Sequence, residues 1–399
     1  MHFDCIIVGA GAAGLFCGAT FPKKGNGLIL EKTKRIGTKL LMSGNGQCNI
    51  THDGSIKDFI PCYGKSGGRI RSCLYQYHNE HLRDFLSVND IKTFVREDGK
   101  VFPVSLDAKE IRDMLVAKCK SNGFSFQTEC EVTGLSSIDG LWHIETTAGS
   151  YVAKAVVLAT GGCSYPTTGS DGAIFQVLMR DLDVHIVQPK PALSPLKVSA
   201  YPFSELSGIS FANAEASIFH NGKRVAVNAG GLLFTHHDFS GPAVMNISKY
   251  AENGDTLVIN YLYPQSYEEV LSKLKAAMSA SKENTANILS KTFPLPKRFS
   301  RIMADRFGNS PKALAKGLTG DSFVITSIGS FRQAMVTAGG ISLSELNTKT
   351  MELKKHPNLF AIGEMLDIDG ITGGYNLQFA YASGRIAAEK ASDKDNHSI

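Results

Sequence analysis

The sequence lacks the cysteine patterns that mark zinc-binding and disulfide-exchanging proteins. Its eight cysteines include no C-x-x-C pair and form no ligand-like cluster with histidine. This argues against a structural zinc site and against a redox-active dithiol of that spacing. Reduced thiols of a cytoplasmic protein are the simplest account of these cysteines. No metal site is therefore predicted.

Long apolar runs are also missing. No uninterrupted apolar stretch reaches the length that is needed to span a membrane. The first twenty residues are apolar, but Asp4 interrupts them and no basic segment precedes them, which argues against a signal peptide. A cytoplasmic location without a membrane partner is the expectation.

A strong charge of one sign is absent too. The 42 basic and 37 acidic residues give a net charge of +5, and no run of five basic residues exists. Since the charges are spread along the chain, the sequence gives little support for nucleic-acid binding, and no nucleic-acid partner is expected. At 399 residues the chain is too long for one ordinary core, so two or three domains are expected.

What the sequence does contain is a nucleotide-binding pattern at its N-terminus. Cys5–Val8 is a continuous apolar run, as expected of a strand buried in a parallel sheet. Gly9, Gly11 and Gly14 follow at G-x-G-x-x-G spacing, which suits a tight turn, close approach to a pyrophosphate and close helix packing, respectively. A helix over 12–19 would point free N–H groups at the phosphates.

A second strand completes the pattern. Leu28–Leu30 is apolar and ends in Glu31, 22 residues after Gly9. An acidic side chain at this place suits the hydroxyl groups of a ribose and would repel a 2′-phosphate. The alternative is a glycine-rich turn in a sheet without a nucleotide. The flanking strands and the position of the acid favour nucleotide binding.

Further segments have the composition of ligand-binding loops or of regular elements around them. Lys39–Thr51 holds glycines among small polar residues and offers backbone donors and a lysine for phosphate, although a plain surface loop is the alternative. The periodicity predicts a helix over Leu74–Val88 and a strand over Ser125–Leu135. The strand Ala155–Ala159 ends in Thr160-Gly161-Gly162, where nucleotides bind in open α/β sheets.

The middle of the chain changes in character and the end returns to the first pattern. Three prolines within Pro189–Pro195 mark a domain boundary, and strand signals follow to about residue 263. Ser266 and Glu269 form a capping box that opens a helical region to about residue 318. Leu359–Ile362 then reads as a strand, followed by a glycine-rich turn and a helix from about residue 377.

These motifs resemble the glutathione-reductase-like FAD flavoproteins and, within them, the YhiN/BaiN family, which includes bacterial aminoacetone oxidases. The resemblance extends from end to end. The matching stretches are Val8–Gly14, Leu30–Lys32, Lys39–Thr51, Ala159–Gly162, Tyr165–Gly172, Leu233–Pro242, Val336–Gly340 and Ala361–Ala380.

The resemblance implies an α/β fold with a Rossmann-like FAD-binding domain of the glutathione-reductase type. That domain would comprise residues 1–190 and 330–399. It would be split in sequence by an inserted β-rich domain, 191–265, and a mainly helical subdomain, 266–329. The insert, which has no glycine fingerprint of its own, is expected to shape substrate access and not to bind a second nucleotide.

The resemblance also implies the residues around a non-covalently bound FAD. They would contact the pyrophosphate, the adenosine, the ribityl chain or the flavin ring. The predicted cofactor-binding residues are Gly9, Gly11, Ala12, Ala13, Gly14, Glu31, Lys32, Lys39, Ser43, Gly44, Cys48, Asn49, Val132, Thr160, Gly161, Gly363, Glu364, Asn376, Leu377 and Gln378.

Candidates for substrate chemistry are fewer. Tyr165, Tyr375 and His236 are the predicted catalytic residues, and His237 adjoins the last of them. A histidine beside a flavin could take the proton that accompanies hydride transfer. The alternative is that both histidines only cap or hydrogen-bond at the domain boundary. Cys48 could touch the flavin as a thiolate, or pack beside it as a small buried residue.

The predicted function is FAD-dependent hydride transfer to or from a small organic substrate. With a single G-x-G-x-x-G, the chain has no separate nicotinamide domain, so NAD(P)H is a candidate only as a transient electron donor. Either an amine is oxidised with oxygen, or a conjugated double bond is reduced with NAD(P)H. A tRNA-modifying enzyme and a non-catalytic flavin-binding protein are the alternatives. The oligomeric state is not predicted.

Overall fold

The computed structural model describes residues 2–22 and 24–393. They form two compact units, one of which comprises the chain up to Lys190 and again from Val336, and the other Pro191–Met335. Within the described residues, no helix is both long enough and apolar enough to cross a lipid bilayer.

The helices and strands follow in chain order. Up to residue 192 they are β1 (His2–Val8), α1 (Ala12–Ala19), β2 (Gly27–Leu30), α2 (Thr38–Met42), β3 (Thr51–His52), α3 (Ile56–Phe59), α4 (Arg71–Gln76), α5 (Asn79–Ser87), β4 (Thr93–Val95), β5 (Lys100–Pro103), α6 (Ala108–Ser121), β6 (Phe124–Gln127), β7 (Val132–Ile138), β8 (Leu141–Thr146), β9 (Gly149–Leu158), α7 (Ala173–Leu182) and β10 (Ile186–Ala192). The next are β11 (Leu196–Val198), β12 (Ser210–His220), β13 (Lys223–Phe234), β14 (Asp238–Ser240), α8 (Pro242–Met245), β15 (Thr256–Asn260), α9 (Tyr267–Ala280), α10 (Thr285–Thr292), α11 (Lys297–Phe307), α12 (Pro311–Gly320) and β16 (Asp321–Ile328). The last are β17 (Val336–Ile341), β18 (Leu346–Asn347), β19 (Glu352–Leu353), β20 (Leu359–Ala361) and α13 (Tyr375–Asp393).

The first unit is built on a sheet with the strand order β18-β19-β20-β9-β1-β2-β6, to which β8 and then β7 are added beside β9. Strands β20, β9, β1, β2 and β6 are parallel. All of Cys5–Val8 is buried, as the continuous apolar run predicts. The predicted fold class, a split Rossmann-like FAD fold, is confirmed.

Two helices cross closely behind this sheet because small residues line their contact. A Cβ at Gly384 of α13 would lie 2.9 Å from the carbonyl oxygen of Ala13 in α1. Next to this contact, the rings of Phe16 and Tyr381 meet edge to face with their centroids 5.4 Å apart. All residues of α1 from Ala13 to Ala19 are buried, so the helix is covered on nearly every side, which agrees with its almost wholly apolar sequence.

The second unit contains a closed antiparallel barrel in the order β11-β14-β13-β12-β15-β16. Helices α9 to α12 share one hydrophobic core with the barrel, in which Phe203 stacks on Phe234 and Phe299. The structure therefore divides this region differently from the sequence. The last barrel strand, β16, falls inside the range 266–329 that the sequence assigns to a helical subdomain, and the helices do not form a unit of their own.

Two predicted elements are each interrupted. The helix expected over Leu74–Val88 breaks between α4 and α5, where Gln378 Nε2 donates to the carbonyl oxygen of Tyr77 at 2.8 Å. This distant amide supplies a partner for a carbonyl group that ends a helix. The strand expected over Ser125–Leu135 is likewise divided into β6 and β7. The helix break thus coincides with a tertiary contact, which local periodicity does not indicate.

Candidate functional site

The carboxyl ends of four parallel strands meet at one edge of the main sheet. Val8 is paired with Leu30 on one side and with Leu158 on the other, and Leu158 is paired with Ala361. Because the strands are in register, the loops that follow them start side by side. Open α/β sheets bind nucleotides at this edge. The residues that lead these loops include Gly9, Glu31, Thr160 and Gly363.

The three glycines of the fingerprint have different surroundings. Gly9 has φ +105°, and a Cβ there would lie 2.5 Å from the carbonyl oxygen of Ala159. A Cβ at Gly14 would overlap the carbonyl oxygen of Gly9. At Gly11, by contrast, a Cβ would meet no atom within 4 Å. The first and third glycines are therefore required by the packing of the chain, whereas the second faces open space.

That open space lies at the start of α1. Gly11 is the N-cap of the helix and makes no side-chain cap, and the first intrahelical bond runs from the Leu15 N–H to the Gly11 carbonyl at 2.9 Å. The preceding N–H groups of the helix, including those of Ala12 and Ala13, have no acceptor within it. They and the helix dipole favour an anion at this position, as a pyrophosphate would supply.

Glu31 is buried beside the same turn, with 7% of its surface exposed. One carboxylate oxygen accepts a hydrogen bond from the Ala10 N–H at 3.0 Å. The other accepts from the N–H and the hydroxyl of Thr33, at 2.8 and 2.7 Å. The Glu31 backbone carbonyl accepts from the N–H of Cys130 at 3.0 Å, which brings the segment before Val132 beside the predicted adenosine position.

These bonds lead to a prediction for Glu31→Ala. The substitution removes the predicted ribose acceptor and leaves the Ala10 N–H without its partner, at a cost of about 1–3 kcal/mol. We expect FAD affinity and the melting temperature of the apoprotein to fall together. Glu31→Gln keeps one acceptor oxygen and should lower both the FAD affinity and the melting temperature less. Titration of the apoproteins with FAD and thermal melts measure the two effects. Wild-type FAD affinity in Glu31→Ala would show that this carboxylate does not contact the cofactor.

Thr160 and Gly161 follow β9 at the same edge. The Thr160 hydroxyl is buried and has no hydrogen-bond partner within the protein. Since buried hydroxyl groups are nearly always paired, this oxygen is suited to a ligand. Gly161 has φ +75°, and a Cβ there would lie 2.8 Å from Ser170 Oγ. The backbone therefore passes close to its neighbours at this point and leaves no room for a side chain.

A network of charged and polar side chains lies at the same edge of the sheet. Lys39 Nζ donates to both carboxylate oxygens of Glu364, at 2.8 and 2.7 Å. The hydroxyl of Ser164 donates to the same carboxylate at 2.8 Å, and the backbone N–H of Thr337 does so at 3.0 Å. Lys39 thus pairs with Glu364, a residue 325 positions away, and the network links four separate segments of the unit.

Lys32 takes part in a second charged cluster. Its ammonium group lies 2.7 Å from Glu131 and 2.6 Å from Asp171. Burial alone would lower the pKa of Lys32, but the hydrogen bonds with Asp171 and Glu131 outweigh it and raise the pKa. Nearby Cys163 is a thiol at neutral pH, because burial and the negative charges of Glu364 and Asp171 raise its pKa to about 11.

The loop after α2 is fixed by close backbone packing and by side-chain hydrogen bonds. Gly44 has φ +56°, and a Cβ there would lie 2.7 Å from the N–H nitrogen of Asn49. Ser43 donates to the carbonyl of Leu40, and Asn49 Nδ2 donates to the carbonyls of Thr51 and Val101. Cys48 is fully buried, and burial raises its pKa to about 11, so it is a packed thiol and not a thiolate.

The N-terminus of α13 provides a second helix end. Gly374 precedes it with φ +97°, at a place where a Cβ would overlap the Thr51 carbonyl. Asn376 makes two hydrogen bonds with the backbone of Gly370, at 2.8 and 2.9 Å, and so closes the glycine-rich turn. Gln378 accepts from the Thr51 hydroxyl at 2.8 Å. Leu377 lies between them in the first turn of the helix.

Tyr375, the first residue of α13, stands in an aromatic cluster. Its ring stacks on His52 with the centroids 5.3 Å apart, and it meets Phe59 and Tyr63 edge to face. Burial, with a hydrogen bond to Cys62, raises the pKa of the Tyr375 phenol above its ordinary value. The phenol therefore keeps its proton at neutral pH.

The three predicted catalytic residues belong to different parts of the chain, two to the first unit and one to the second. Tyr375 lies in the aromatic cluster, and Tyr165 has φ +54° at the start of a short 3-10 helix. His236 belongs to the second unit, in the turn between β13 and β14, where its ring lies 6.3 Å from that of His237. Their catalytic roles stay predictions.

Sequence reasoning missed several residues that organise this edge. Ser164 and Thr337 complete the network around Glu364, and the Thr337 hydroxyl also accepts from the N–H of Cys163 at 2.7 Å. His52 stacks on Tyr375. Thr337 falls within the matching stretch Val336–Gly340, Ser164 directly precedes Tyr165–Gly172, and His52 directly follows Lys39–Thr51. No local pattern distinguishes these three side chains.

The residues of this edge fit FAD by observations that are independent of one another. The Cβ position of Gly11 is empty, the Thr160 hydroxyl lacks a partner, and α1 begins directly after the first loop of this edge. The acidic Glu31 lies one strand away from the first glycine. The fold and the site together define an FAD-dependent oxidoreductase of the Rossmann type.

The chain matches the family described as "HI0933-like protein Rossmann domain" over residues 3–390 and belongs to that family. It is 29% identical over 406 residues to the ribosomal RNA dihydrouridine synthase of Escherichia coli (strain K12), covering 97% of this chain and 98% of that protein. It is 27% identical over 416 residues to the 3-dehydro-bile acid delta(4,6)-reductase of Clostridium scindens, with the same coverage. The predicted relationship to the YhiN/BaiN-type flavoproteins is confirmed.

A solved structure shows the same fold. The 3-ketosteroid-delta4-(5alpha)-dehydrogenase from Rhodococcus jostii RHA1, in complex with 4-androstene-3,17-dione, superposes with a TM-score of 0.52. The match covers 98% of this chain and 97% of that one at 15% sequence identity. At this identity the likeness concerns the fold alone.

Proposed function

We propose that this protein reduces a carbon–carbon double bond that is conjugated to a carbonyl group, and that its substrate is a uracil ring in RNA. The observation that carries the proposal is the match along nearly the whole length with two reductive enzymes, a ribosomal RNA dihydrouridine synthase and a bile acid delta(4,6)-reductase. Uracil and the unsaturated ketone of a steroid share one feature, a C=C bond that a neighbouring carbonyl activates.

The reaction balances as a two-electron reduction. A hydride is added to the ring carbon remote from the carbonyl, and a proton to the carbon next to it, so that the double bond becomes single. FAD, when bound, supplies the hydride chemistry. We propose NADH or NADPH as the external reductant, which is oxidised to NAD⁺ or NADP⁺. Its binding would be weak and transient, because the sequence holds one nucleotide fingerprint only.

The chain's own residues supply binding, orientation and a proton. The start of α1 and the open face of Gly11 would hold the pyrophosphate. The ion pair of Lys39 with Glu364 would fix the loops on which the cofactor rests. Tyr375, whose pKa is raised by burial, and Tyr165 are the phenol groups proposed to deliver the proton.

RNA is the first candidate substrate because the synthase match has the higher identity, 29% against 27% for the reductase, at equal coverage. This departs from the expectation, drawn from the dispersed charge, that the chain has no nucleic-acid partner. A small unsaturated ketone is the second candidate, favoured by the bile acid reductase match. Oxidation of an amine is not supported by either relative.

The test is anaerobic incubation of the FAD-loaded protein with NADPH or NADH and unmodified ribosomal RNA transcripts. We expect flavin bleaching by the nicotinamide, then reoxidation by RNA, and a two-hydrogen mass increase on uridine after nuclease digestion. The Gly11→Val variant and reactions without nicotinamide are the controls. A parallel reaction with a 4-ene-3-ketosteroid tests the second candidate. Reoxidation by neither compound would contradict the proposed reaction.

A further inference from the structure

The net positive charge of this protein is concentrated in the helices of the second unit. Residues 267–320, which span α9 to α12, hold ten basic and four acidic side chains, a net charge of +6. The remainder of the chain is almost neutral, with 32 basic and 33 acidic side chains. The total of +5 therefore conceals a strongly basic segment in a chain that is otherwise balanced.

Helix geometry places five of these ten basic residues on the outer surfaces of α11 and α12. The inner side of α11 is formed by Phe299, Ser300 and Met303, which are fully buried. At 100° per residue, Lys297, Arg298 and Arg301 lie on the opposite side, and all three are exposed.

Helix α12 repeats the arrangement. Its inner side contains Leu314, Ala315 and Leu318, which are fully buried, and its outer side carries Lys312 and Lys316, which are exposed. These two lysines are one helical turn apart. We call the five outer side chains the basic helix face: Lys297, Arg298, Arg301, Lys312 and Lys316.

The chain does not neutralise this face. Among the described residues, none of its five side chains lies within 4.0 Å of a carboxylate, and the one acid on the same side of α11 is Asp305. The adjacent Arg306, by contrast, makes a bidentate pair with Asp321, at 2.6 and 2.9 Å. Within the part of the chain that the structure describes, five exposed cations thus lie on the outer sides of these two helices without an ion pair to a carboxylate.

The position of two of these cations also works against helix stability. Lys297 and Arg298 occupy the first turn of α11, which contains no acidic residue and has Pro296 at its N-cap without a side-chain cap. Cations are unfavourable at this positive end of a helix. A local cost of this kind is expected where the charges serve an anionic partner.

We propose that the basic helix face binds the phosphate backbone of the RNA substrate. The inference rests on the proposed function, and it assigns to the insert the electrostatic part of RNA binding. Lysine and arginine side chains that contact phosphates release counterions and supply most of the non-specific affinity. A lipid surface fits less well, because a membrane-bound helix exposes apolar residues. The large apolar side chains of α11 and α12 are not among the exposed ones.

The test compares two variants of the full-length FAD-loaded protein that lose the same charge. One carries Lys297→Gln, Arg298→Gln and Arg301→Gln. The matched control carries Lys109→Gln, Lys120→Gln and Lys355→Gln, three exposed positions of the first unit. The probe is a fluorescent single-stranded transcript of ribosomal RNA sequence, and its dissociation constant is measured between 50 and 300 mM KCl, a range of roughly six-fold that resolves the salt dependence.

For the basic-face variant we expect at least ten-fold weaker binding at about 100 mM KCl. The slope of log K against log salt should fall by about 2, since each lost contact with single-stranded RNA contributes about 0.7. The control should stay within about two-fold of the wild type. Thermal melts should show no loss of stability in the basic-face variant, because removal of cations from the first turn of α11 relieves an unfavourable interaction.

Equal losses in the two variants, or no RNA binding by the wild type at the lowest salt, would overturn the proposal. So would salt-dependent binding of the wild type to vesicles of phosphatidylcholine and phosphatidylserine with none to RNA. If the basic-face variant alone loses RNA affinity but no RNA uridine is reduced by the wild type, the surface assignment stands and the proposed reaction fails. If uridine is reduced and both variants bind equally, the reaction stands and the surface assignment fails.

Discussion

We expect Gly11→Val to abolish FAD binding while the protein stays folded. A Cβ at Gly11 meets no protein atom within 4 Å, and the backbone of this residue has φ −80°, which any residue adopts. The valine side chain would therefore be accepted by the protein. It would fill the space at the start of α1 where the second glycine of the fingerprint allows a pyrophosphate to approach. The expected loss of FAD affinity is at least 100-fold.

The measurement is the FAD content after purification, determined by acid precipitation and chromatography of the released flavin, followed by titration of the apoprotein with FAD. Gly11→Ala is the graded control and should retain part of the affinity, because a single methyl group occupies less of the space. Circular dichroism should show wild-type secondary structure in both variants. A Gly11→Val protein with a full complement of FAD would mean that the open space at Gly11 is not the pyrophosphate site.

Whereas Gly11→Val is expected to lower FAD affinity and to leave the fold intact, we expect Gly14→Ala to lower the stability of the protein strongly. Its Cβ would overlap the carbonyl oxygen of Gly9 and would lie 3.2 Å from a side-chain methyl group of Ile7. A backbone carbonyl in the turn between β1 and α1 cannot move without displacing the helix from the sheet. Overpacking of this kind lowers the free energy of unfolding by about 1–3 kcal/mol where side chains can adjust. The loss is larger where the added atom overlaps the backbone.

The comparison with Gly11→Ala isolates this cause, since both substitutions add one methyl group to the same helix start. We expect the urea midpoint of the apoprotein to fall clearly for Gly14→Ala and to change little for Gly11→Ala. Midpoints are compared because a chain of two compact units need not unfold in one step. Equal midpoints for the two variants would show that α1 can shift relative to β1 at little cost.

Local sequence determined the core of the nucleotide-binding unit. The apolar run, the spaced glycines and the acid after Leu28–Leu30 predict β1, α1 and β2 in order, and α1 has the expected bounds, Ala12–Ala19. The capping box at Ser266 likewise marks the start of α9, with the Ser266 hydroxyl accepting from the Glu269 N–H at 3.3 Å. These features act through neighbours within a few residues, so their signals are present in the sequence.

Only the tertiary structure decided which loops come together at the edge of the sheet. Lys39, which the sequence offers for phosphate, pairs with Glu364, and Gln378 reaches both Thr51 and Tyr77. The last of these contacts accompanies the break between α4 and α5. Partners separated by some 300 residues leave no periodic pattern, because the parallel strands that align them are brought together by folding.

The charge of the protein likewise has one aspect that the sequence determines and another that only the fold determines. The sequence by itself determined the total of +5 and the absence of any long basic run, and both argued against a nucleic-acid partner. The folded helices place Lys297, Arg298 and Arg301 on the outer side of α11 and two lysines on the outer side of α12, while their apolar neighbours are buried in the core of the unit. Helical periodicity gathers on one side charges that the linear sequence separates, and the electrostatic potential of a surface depends on that spatial arrangement.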